Sequence, residues 1–495
     1  MYPSLEEVKL TAEKEGARRI PVCRELYADR YTPVEIMRTL RGASRHCYLL
    51  ESAGQTETWG RYSFLGCEPT MEITCTDGNM TIRKTIPGQA EEIIKKTVTH
   101  PGDELRKIIE EYRTPVMEGM PPFTGGLVGY FSYDYIKYSE PKLKLEDKEQ
   151  QDFRDMDLML FDQVIAFDHY RQKVYLIAGV MTDRLEESYQ EAEEKLEKLA
   201  ALIRTGERPE FPPLKLESEI APQFPKERYE AMVEKARHYI REGDIFQVVL
   251  SNPMRAKAQG SLFDTYRVLR ATNPSPYMFY FSSDDIEIAG ASPETLVKLE
   301  AGKLSTFPLA GTRPRGKDEK EDKELEEGLL QDEKELAEHN MLVDLGRNDI
   351  GKISTIGSVA VEKYMSIQRF SHVMHIGSTV TGDIREDKDA VDAVDAILPA
   401  GTLSGAPKFR ACQIIEELEQ SKRGIYGGAI GYLDFSGNLD TCIAIRLVYK
   451  KNGEICIRSG AGIVADSVPE KEFEECCNKA RAVVQAITQA QEGLE

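Results

Sequence analysis

Apolar positions along this chain recur with two periods, one helical and one extended. From 229 to 242, Tyr229, Met232, Val233, Ala236 and Ile240 fall on one helical face, and 185–203 repeats a charged version of the same spacing. A third helix is predicted from Asp332 to Leu345. Leu336, Asn340 and Val343 form one of its stripes, Glu335, Glu338 and Leu342 another, and Gly346 is placed to end it as a left-handed cap. A last helix follows Ser467-Val468-Pro469-Glu470, which has the spacing of a capping box with proline in the first turn. Its expected core stripe is Phe473, Cys477, Ala480, Val484 and Ile487. Short apolar or alternating runs predict strands over 47–50, 62–65, 71–74, 125–131 and 164–167, then over 246–250, 277–281, 288–291, 428–433, 441–449 and 455–458. Clustered strands with helices between and after them predict an α+β fold: large antiparallel sheets packed face to face with flanking helices.

One stretch has linker composition. Pro209, Pro212, Pro213, Pro222 and Pro225 lie among charged residues, so the chain is expected to divide into an N-terminal region 1–205, a linker 206–225 and a second region 226–490. Composition narrows the function. Of 495 residues, 64 are Lys or Arg and 84 are Asp or Glu, a net charge of −20, which leaves no general footprint for DNA or RNA. No run of 18 apolar residues predicts a membrane span, and Met1-Tyr2-Pro3-Ser4-Leu5-Glu6-Glu7 does not have the pattern of a secretory signal. The nine cysteines, an odd number without C-x-x-C spacing, read as reduced thiols of a cytoplasmic protein.

Residues 318–338 hold eleven acids, and most of that run is expected to be a solvated face. Glu338 differs, because it lies beside His339 and an apolar segment, where a carboxylate needs a partner or a cation. In the last helix Glu475 and Lys479 are four apart and share a face. That spacing alone describes a surface ion pair worth about 0.3–0.5 kcal/mol. It equally places a carboxylate and a cation toward one pocket. Two acids on separate elements suit Mg²⁺, which keeps waters and takes only one or two protein carboxylates. Ser459-Gly460-Ala461-Gly462, after a strand, can turn backbone N–H groups toward an anion. Gly460-x-Gly462-x-x-Ala465 is not a dinucleotide fingerprint, since Pro469 starts the helix too late, and 401–408 lacks the Gly-Lys-Ser/Thr of a P-loop. His372 and His375 fall on opposite faces of an expected strand, so they do not form a zinc pair. Residues 308–316 form a Gly/Pro-bounded turn with two arginines.

Taken together these segments resemble the chorismate-utilising enzymes, and among them the anthranilate synthase large subunits (component I). The matching pieces are 291–296 (Ala-Ser-Pro-Glu-Thr-Leu), 308–316, 337–349, 372–377, 398–408, 423–428, 439–446, 460–467 and 475–480, in family order, with Leu49-Leu50-Glu51-Ser52 in the first half. The resemblance implies a lyase that converts chorismate and ammonia to anthranilate and pyruvate with Mg²⁺, the step that opens tryptophan biosynthesis. It implies Glu338 and Glu475 as metal ligands. Gly311, Thr312, Tyr426, Arg446, Lys479 and the Gly460-Ala461-Gly462 backbone would bind chorismate. Glu294 would be the general acid for the departing C4 hydroxyl, and His375 would lie close to the substrate and assist orientation or pyruvate elimination.

Two positions bear on the nucleophile. Ala310 stands where para-aminobenzoate-forming relatives usually carry a lysine, and Gln247 is placed where water-using relatives carry a lysine base; neither can do that chemistry. No Gly-x-Cys-x-Gly glutaminase elbow is present, so the resemblance implies a separate glutamine amidotransferase subunit (component II) that delivers ammonia, in a heterotetramer. It also implies tryptophan as a feedback inhibitor at Glu51, Ser52, Pro276, Tyr277 and Met278. Two alternatives stay open: an aminodeoxychorismate synthase of the folate branch, and a catalytically inactive tryptophan-binding regulatory protein.

Overall fold

A computed structural model describes residues 1–52, 60–85, 90–145, 153–369 and 373–494, apart from the Thr312 side chain. The strands that build the site are β1 (Cys47–Glu51), β2 (Gln247–Gln259), β3 (Tyr277–Ser282), β4 (Ile286–Ser292), β5 (Thr295–Glu300), β6 (Leu309–Pro314), β7 (Val373–Asp383), β8 (Leu439–Ile443), β9 (Leu447–Lys451) and β10 (Glu454–Ile463). The helices that flank it are α1 (Phe263–Thr272), α2 (Glu333–Gly351), α3 (Lys408–Glu419) and α4 (Pro469–Gln491).

The described strands form a 13-stranded and a 12-stranded sheet. The first contains β1, β3, β4, β9, β10 and β2 in that spatial order; the second contains β5 to β8. Their inner faces pack on each other through aromatic side chains. Tyr48 meets Phe161 edge-on with ring centroids 4.6 Å apart, and Phe64 meets Tyr432 at 5.7 Å. Edge-to-face rings bury large apolar area without opposing their π faces. On the outer side of the first sheet, α1 and α4 share a core through Tyr266, Leu269, Ala480, Val483 and Ile487. The α+β expectation of two large antiparallel sheets with flanking helices therefore describes the fold.

The two halves of the chain interleave in both sheets. In the first, β1 pairs antiparallel with β3, Glu51 opposite Met278 and Leu50 opposite Phe279. In the second, Gly126–Phe131 pairs with Ala429–Asp434. The proline-rich segment joins the halves along the chain, yet it is not a free tether: Lys215–Leu216 and Ala221–Pro222 add to the edge of β2. The strand expected over 246–250 runs on to Gln259 and provides that edge.

Deep in the second half a carboxylate is clamped between two guanidiniums. Glu419, at the end of α3, accepts from Arg423 Nε at 3.0 Å, from Arg458 Nη2 at 2.6 Å and from the Ser251 backbone N–H at 2.8 Å. Burial alone would raise its pKa, but Arg423 and Arg458 hold it below the usual carboxylate range. Removing one partner of such a set strands the others in a low-dielectric interior, at about 3–5 kcal/mol. Glu419→Ala is therefore expected to lower unfolding free energy by about that amount, read as a fall in urea midpoint at pH 7. A change below about 1 kcal/mol would show that the trio is compensated by water.

Candidate functional site

Two of the places where the chain passes from one sheet to the other carry a charged side chain of the expected site. At Ser292–Thr295 it leaves β4 of the first sheet for β5 of the second, and Glu294 lies in the crossing. Between Ile443 and Leu447 it returns from β8 to β9, with Arg446 in the gap. The crossings are bonded to each other: Ile443 N donates to Glu294 O at 2.9 Å, and Ala291 N donates to Arg446 O at 3.1 Å. Arg446 has a φ of +51°, a left-handed conformation that costs a non-glycine residue about 1–2 kcal/mol and turns its side chain out of strand alternation.

Burial pushes the Glu294 carboxyl up to about 7, against the opposing pull of the Thr402 hydroxyl, Arg446 and Lys479. Thr402 and Glu294 face a cavity of about 40 Å³ between the second sheet and the 400–402 turn. Thr402 was not among the expected site residues. In the sequence its segment, 398–408, reads as a rejected P-loop and as one of the pieces that carry the family resemblance, without a role for the hydroxyl.

β7 holds His375 beside the bulged strand β6. Its Nδ1–H donates to the Gly311 carbonyl at 2.9 Å, which leaves Nε2 as the other ring nitrogen of a neutral imidazole. Burial, with the nearby Arg446 charge, lowers its pKa, which the Gly311 contact partly offsets. The register between β6 and β7 shifts between Ala310 and Arg313, and Gly311 sits in that bulge with φ +65°, where a side chain would be strained. Thr312 lies in the same strand; its side chain, like all of His372, is outside the described residues.

α2 starts close to the expected position, and Asp332 caps it: its carboxylate accepts from Lys334 N and Glu335 N. It does not end at Gly346 as expected. It continues to Gly351, and Gly346 serves instead for close approach, since a Cβ there would lie 3.1 Å from Thr306 Cγ2. His339, buried, is 2.7 Å from Ser378 Oγ and ties the helix to β7. Glu338 reaches solvent on the next position of the turn. Its pKa is raised by the mass of protein around the carboxyl and then by the Glu335 and Glu475 carboxylates.

Glu475 belongs to α4, one turn before Lys479, and the two pair at 2.7 Å. Lys479 Nζ also donates to Gly460 O at 3.1 Å. The expected capping box is absent: Ser467 Oγ accepts from Val464 N, and the helix begins one residue later, capped at Val468 without a side-chain bond. Its buried stripe is Cys476, Ala480, Val483, Ile487 and Ala490, one register away from the expected one over part of its length, because α4 lies against both α1 and β10.

The glycine run is strand, not loop. Gly460, Ala461 and Gly462 continue β10 opposite Ser251, Leu250 and Val249, and the pairing of β10 with β9 ends at Ile457. The backbone of the facing strand requires Gly460 sterically, whereas Gly462 borders only the end of the flexible Gln247 side chain. A Cβ on Gly460 would lie 2.5 Å from Leu250 O and 2.9 Å from Tyr426 Oη, and one on Gly462 would lie 2.7 Å from Gln247 Nε2. Tyr426 and Gln247 therefore line the glycine face. Tyr426 is buried, its hydroxyl pKa raised by burial, under the Arg423 guanidinium.

Glu294, Arg446, His375, Gly311, Tyr426, Gly460, Ala461, Gly462, Lys479, Glu338 and Glu475 thus form one linked set. Among the described residues no three His, Cys, Asp or Glu side chains converge tightly enough to cage an ion. Two carboxylates that repel each other beside an ammonium are instead a half-shell, which fits a hard divalent cation that keeps waters and an anionic ligand.

The expected regulatory residues lie elsewhere, at the β1–β3 seam. Glu51 is buried opposite Met278 and accepts from Tyr266 and from Arg270 Nε at 2.9 Å. Ser52 Oγ and Asn273 Nδ2 are both buried with no hydrogen-bond partner among the described residues. Buried polar atoms are rarely left so. Tyr277 donates to Asp440 at 2.9 Å and accepts from Thr295, the neighbour of Glu294.

Residues 45–485 match the family model of chorismate binding enzymes. Anthranilate synthase component 1 of Acetivibrio thermocellus is 44% identical over 499 residues, covering 99% of each chain. That of Aquifex aeolicus is 45% identical over 501 residues, again 99% of each. The solved anthranilate synthase component I of Streptococcus pneumoniae superposes with a TM-score of 0.74 at 39% identity, covering 87% of this chain and 94% of that one. The chain belongs to the family of chorismate binding enzymes, and within it to the anthranilate synthase component 1 group.

The raised Glu294 pKa has a measurable consequence. With a folded value of about 7 against an ordinary 4.5, the folded state holds an extra proton between those values. Stability is fully present below about 4.5 and falls as the pH rises through about 7, by up to ~3 kcal/mol. Glu294→Gln removes that loss. The variant is expected to match the parent near pH 4.5 and to exceed it in urea midpoint at pH 8; a difference that does not vary with pH would contradict the assignment.

Proposed function

We propose that this chain, as a member of its group, is a lyase that turns chorismate and ammonia into anthranilate, pyruvate and water, the step that commits chorismate to tryptophan. What carries the reading is the meeting, where the chain crosses between its sheets, of a carboxyl titrating near 7 (Glu294) with Arg446 and Lys479. Chorismate is a dicarboxylate. Arg446 can grip one carboxylate through two parallel bonds, and Thr312, Tyr426, Lys479 and the Gly460–Gly462 backbone complete the cup. Glu294, protonated at neutral pH, gives its proton to the C4 oxygen as that group leaves as water, while ammonia adds to the ring. A neutral His375, oriented by Gly311, faces the substrate and assists orientation or the elimination of pyruvate. The residues fit Mg²⁺: Glu338 and Glu475 would hold it, and when bound it neutralises a substrate carboxylate and orients the ring.

Ala310 and Gln247, which offer neither a lysine nucleophile nor a lysine base, favour ammonia over the competing nucleophiles. Ammonia is supplied from glutamine by a separate amidotransferase subunit, the component 2 that the relatives' names presuppose, in a heterotetramer. Tryptophan binds at Glu51, Ser52, Pro276, Tyr277 and Met278, where the Ser52 hydroxyl, with no hydrogen-bond partner among the described residues, supports a polar ligand. The protein works in the cytoplasm, consistent with the absence, among the described residues, of a helix long and apolar enough to cross a membrane.

The purified chain with Mg²⁺, chorismate and an ammonium salt is expected to release a fluorescent aromatic amine and pyruvate. Isochorismate alone would identify an isomerase, accumulation of a non-aromatised amino product the folate-branch enzyme, and tryptophan binding without turnover a regulatory protein. Glu338→Gln should abolish Mg²⁺-dependent turnover while the protein stays folded; survival with unchanged metal dependence would misplace the site. Ser52→Ala should weaken tryptophan inhibition without a matching loss of rate, and parallel loss of both would argue against a separate regulatory site.

A further inference from the structure

The segment between Ile397 and Lys408 is closed at its base by one side chain. Lys408 Nζ donates back to the Ile397 carbonyl at 3.0 Å and across to Asp349 Oδ1 at 2.9 Å. Asp349 lies in the last turn of α2 and also receives Lys352 Nζ at 3.3 Å. The Asp349 side chain is 9% exposed and that of Lys408 18%, whereas Lys352, at 52%, reaches solvent. An ammonium taken that far from water needs its donors used. Lys408 is also the first residue of α3, so the loop it closes ends on a rigid element.

The far side of the loop is tied to β2 and to the Glu419 cluster. Val249 N donates to Ser404 O at 2.9 Å, Phe246 N to Ala406 O at 2.7 Å, and Arg423 Nη1 to Leu403 O at 2.6 Å. Toward α2 the loop is held by the Lys408–Asp349 pair, and it comes very close: a Cβ on Gly401 would lie 2.6 Å from Leu345 Cδ1. The next residue is Thr402. Its Oγ1 is buried without a partner at hydrogen-bond geometry among the described residues, and it shares the walls of the 40 Å³ cavity with Glu294, Leu345 and Asp349. Thr402, Arg446 and Lys479 are the groups that act on the Glu294 carboxyl against its burial, and Thr402 acts most strongly. A hydroxyl that donates to a carboxylate favours the charged form.

We infer that Lys408 is a positioning residue for the proton donor: through Asp349 and Ile397 it sets how closely the loop approaches α2, and so holds the Thr402 hydroxyl against the Glu294 carboxyl. This rests on the reading of Glu294 as the general acid. When Glu294 gives its proton to the departing oxygen, the carboxylate left behind receives the Thr402 O–H. The hydroxyl thus stabilises a charge that exists only once the proton has moved, which is where preorganised donors lower a barrier.

The test uses the full chain with Mg²⁺, chorismate and an ammonium salt. Lys408→Met keeps the length and removes the charge, Lys408→Arg keeps a charge, and Thr402→Val removes the hydroxyl. We expect kcat to fall about 10-fold in Lys408→Met and in Thr402→Val, with the KM for chorismate within about threefold of the parent and Lys408→Arg in between. Without the hydroxyl Glu294 stays protonated to higher pH, so the alkaline limb of kcat/KM should move upward in both variants. The double variant Lys408→Met/Thr402→Val should lose little more than either single one, because both remove the same contact. Asp349→Asn cuts the pair from the α2 side, leaves Lys408 bonded to Ile397, and should move the limb the same way; it serves where Lys408→Met folds poorly. An alkaline limb that stays in place in Lys408→Met and Asp349→Asn, or losses that multiply in the double variant, overturns the proposal. Glu294→Gln separates the failures. If it keeps the parent rate, Glu294 is not the acid and the reading of the site fails; if it loses the rate while the Lys408 and Asp349 variants keep the parent's limb, only the role of Lys408 fails.

Discussion

The cleft depends on a buried charge cluster that touches no substrate. Glu419 lies between Arg423 and Arg458, and each guanidinium also donates to the backbone of a different wall, Arg458 to the Ser251 and Ser421 hydroxyls as well. Arg423 reaches Leu403 O at 2.6 Å and Val249 O at 2.7 Å, and Arg458 reaches Lys422 O at 2.7 Å. The first contact fixes the turn that carries Thr402, the second fixes β2 opposite Gly462, and the third fixes the loop before Tyr426. Desolvating three charges is expensive unless every donor and acceptor is used. Here the requirement to satisfy them draws the turn, the strand and the loop to one place.

Around that anchor, the candidate site lies where regular structure is interrupted. A strand within a sheet aims its side chains alternately at the two faces, so a sheet interior offers few places where charged groups meet. Two of the crossings between sheets, at 292–295 and 443–447, escape that alternation. Glu294 and Arg446 occupy them, each crossing bonded to the other through backbone groups. The β6–β7 bulge does the same for Gly311 and His375. The half-buried position of Glu294 then sets its chemistry, because a carboxyl held near pH 7 can exist as an acid in a neutral cell.

Interleaving the two halves has a mechanical consequence. Because β1 joins β3 in one sheet, the residues around Glu51 cannot shift without moving the strand that leads, through Tyr277 and Thr295, to Glu294. Two independent domains on a proline-rich tether would lack that route. The short strands at 215–216 and 221–222 pin the intervening segment to β2 and remove the freedom that its composition suggests.

The sequence by itself determined the α+β class, the position of most strands, the helices bearing Glu338 and Glu475, and the membership of the family, because these rest on local periodicity and on motifs that survive as contiguous runs. Helix starts were more legible than helix ends: α2 begins close to the expected Asp332, which caps it locally, whereas it runs past the expected stop at Gly346 to Gly351, and Gly346 lies close to Thr306, 40 residues away. The strand character of Gly460–Gly462, the shifted stripe of α4, the role of Thr402 and the clamp of α1 on Glu51 were decided only by tertiary structure. Each depends on a partner distant in the chain. Propensity describes what a segment can do alone, while register, burial and the pairing of charges are settled by what it is packed against.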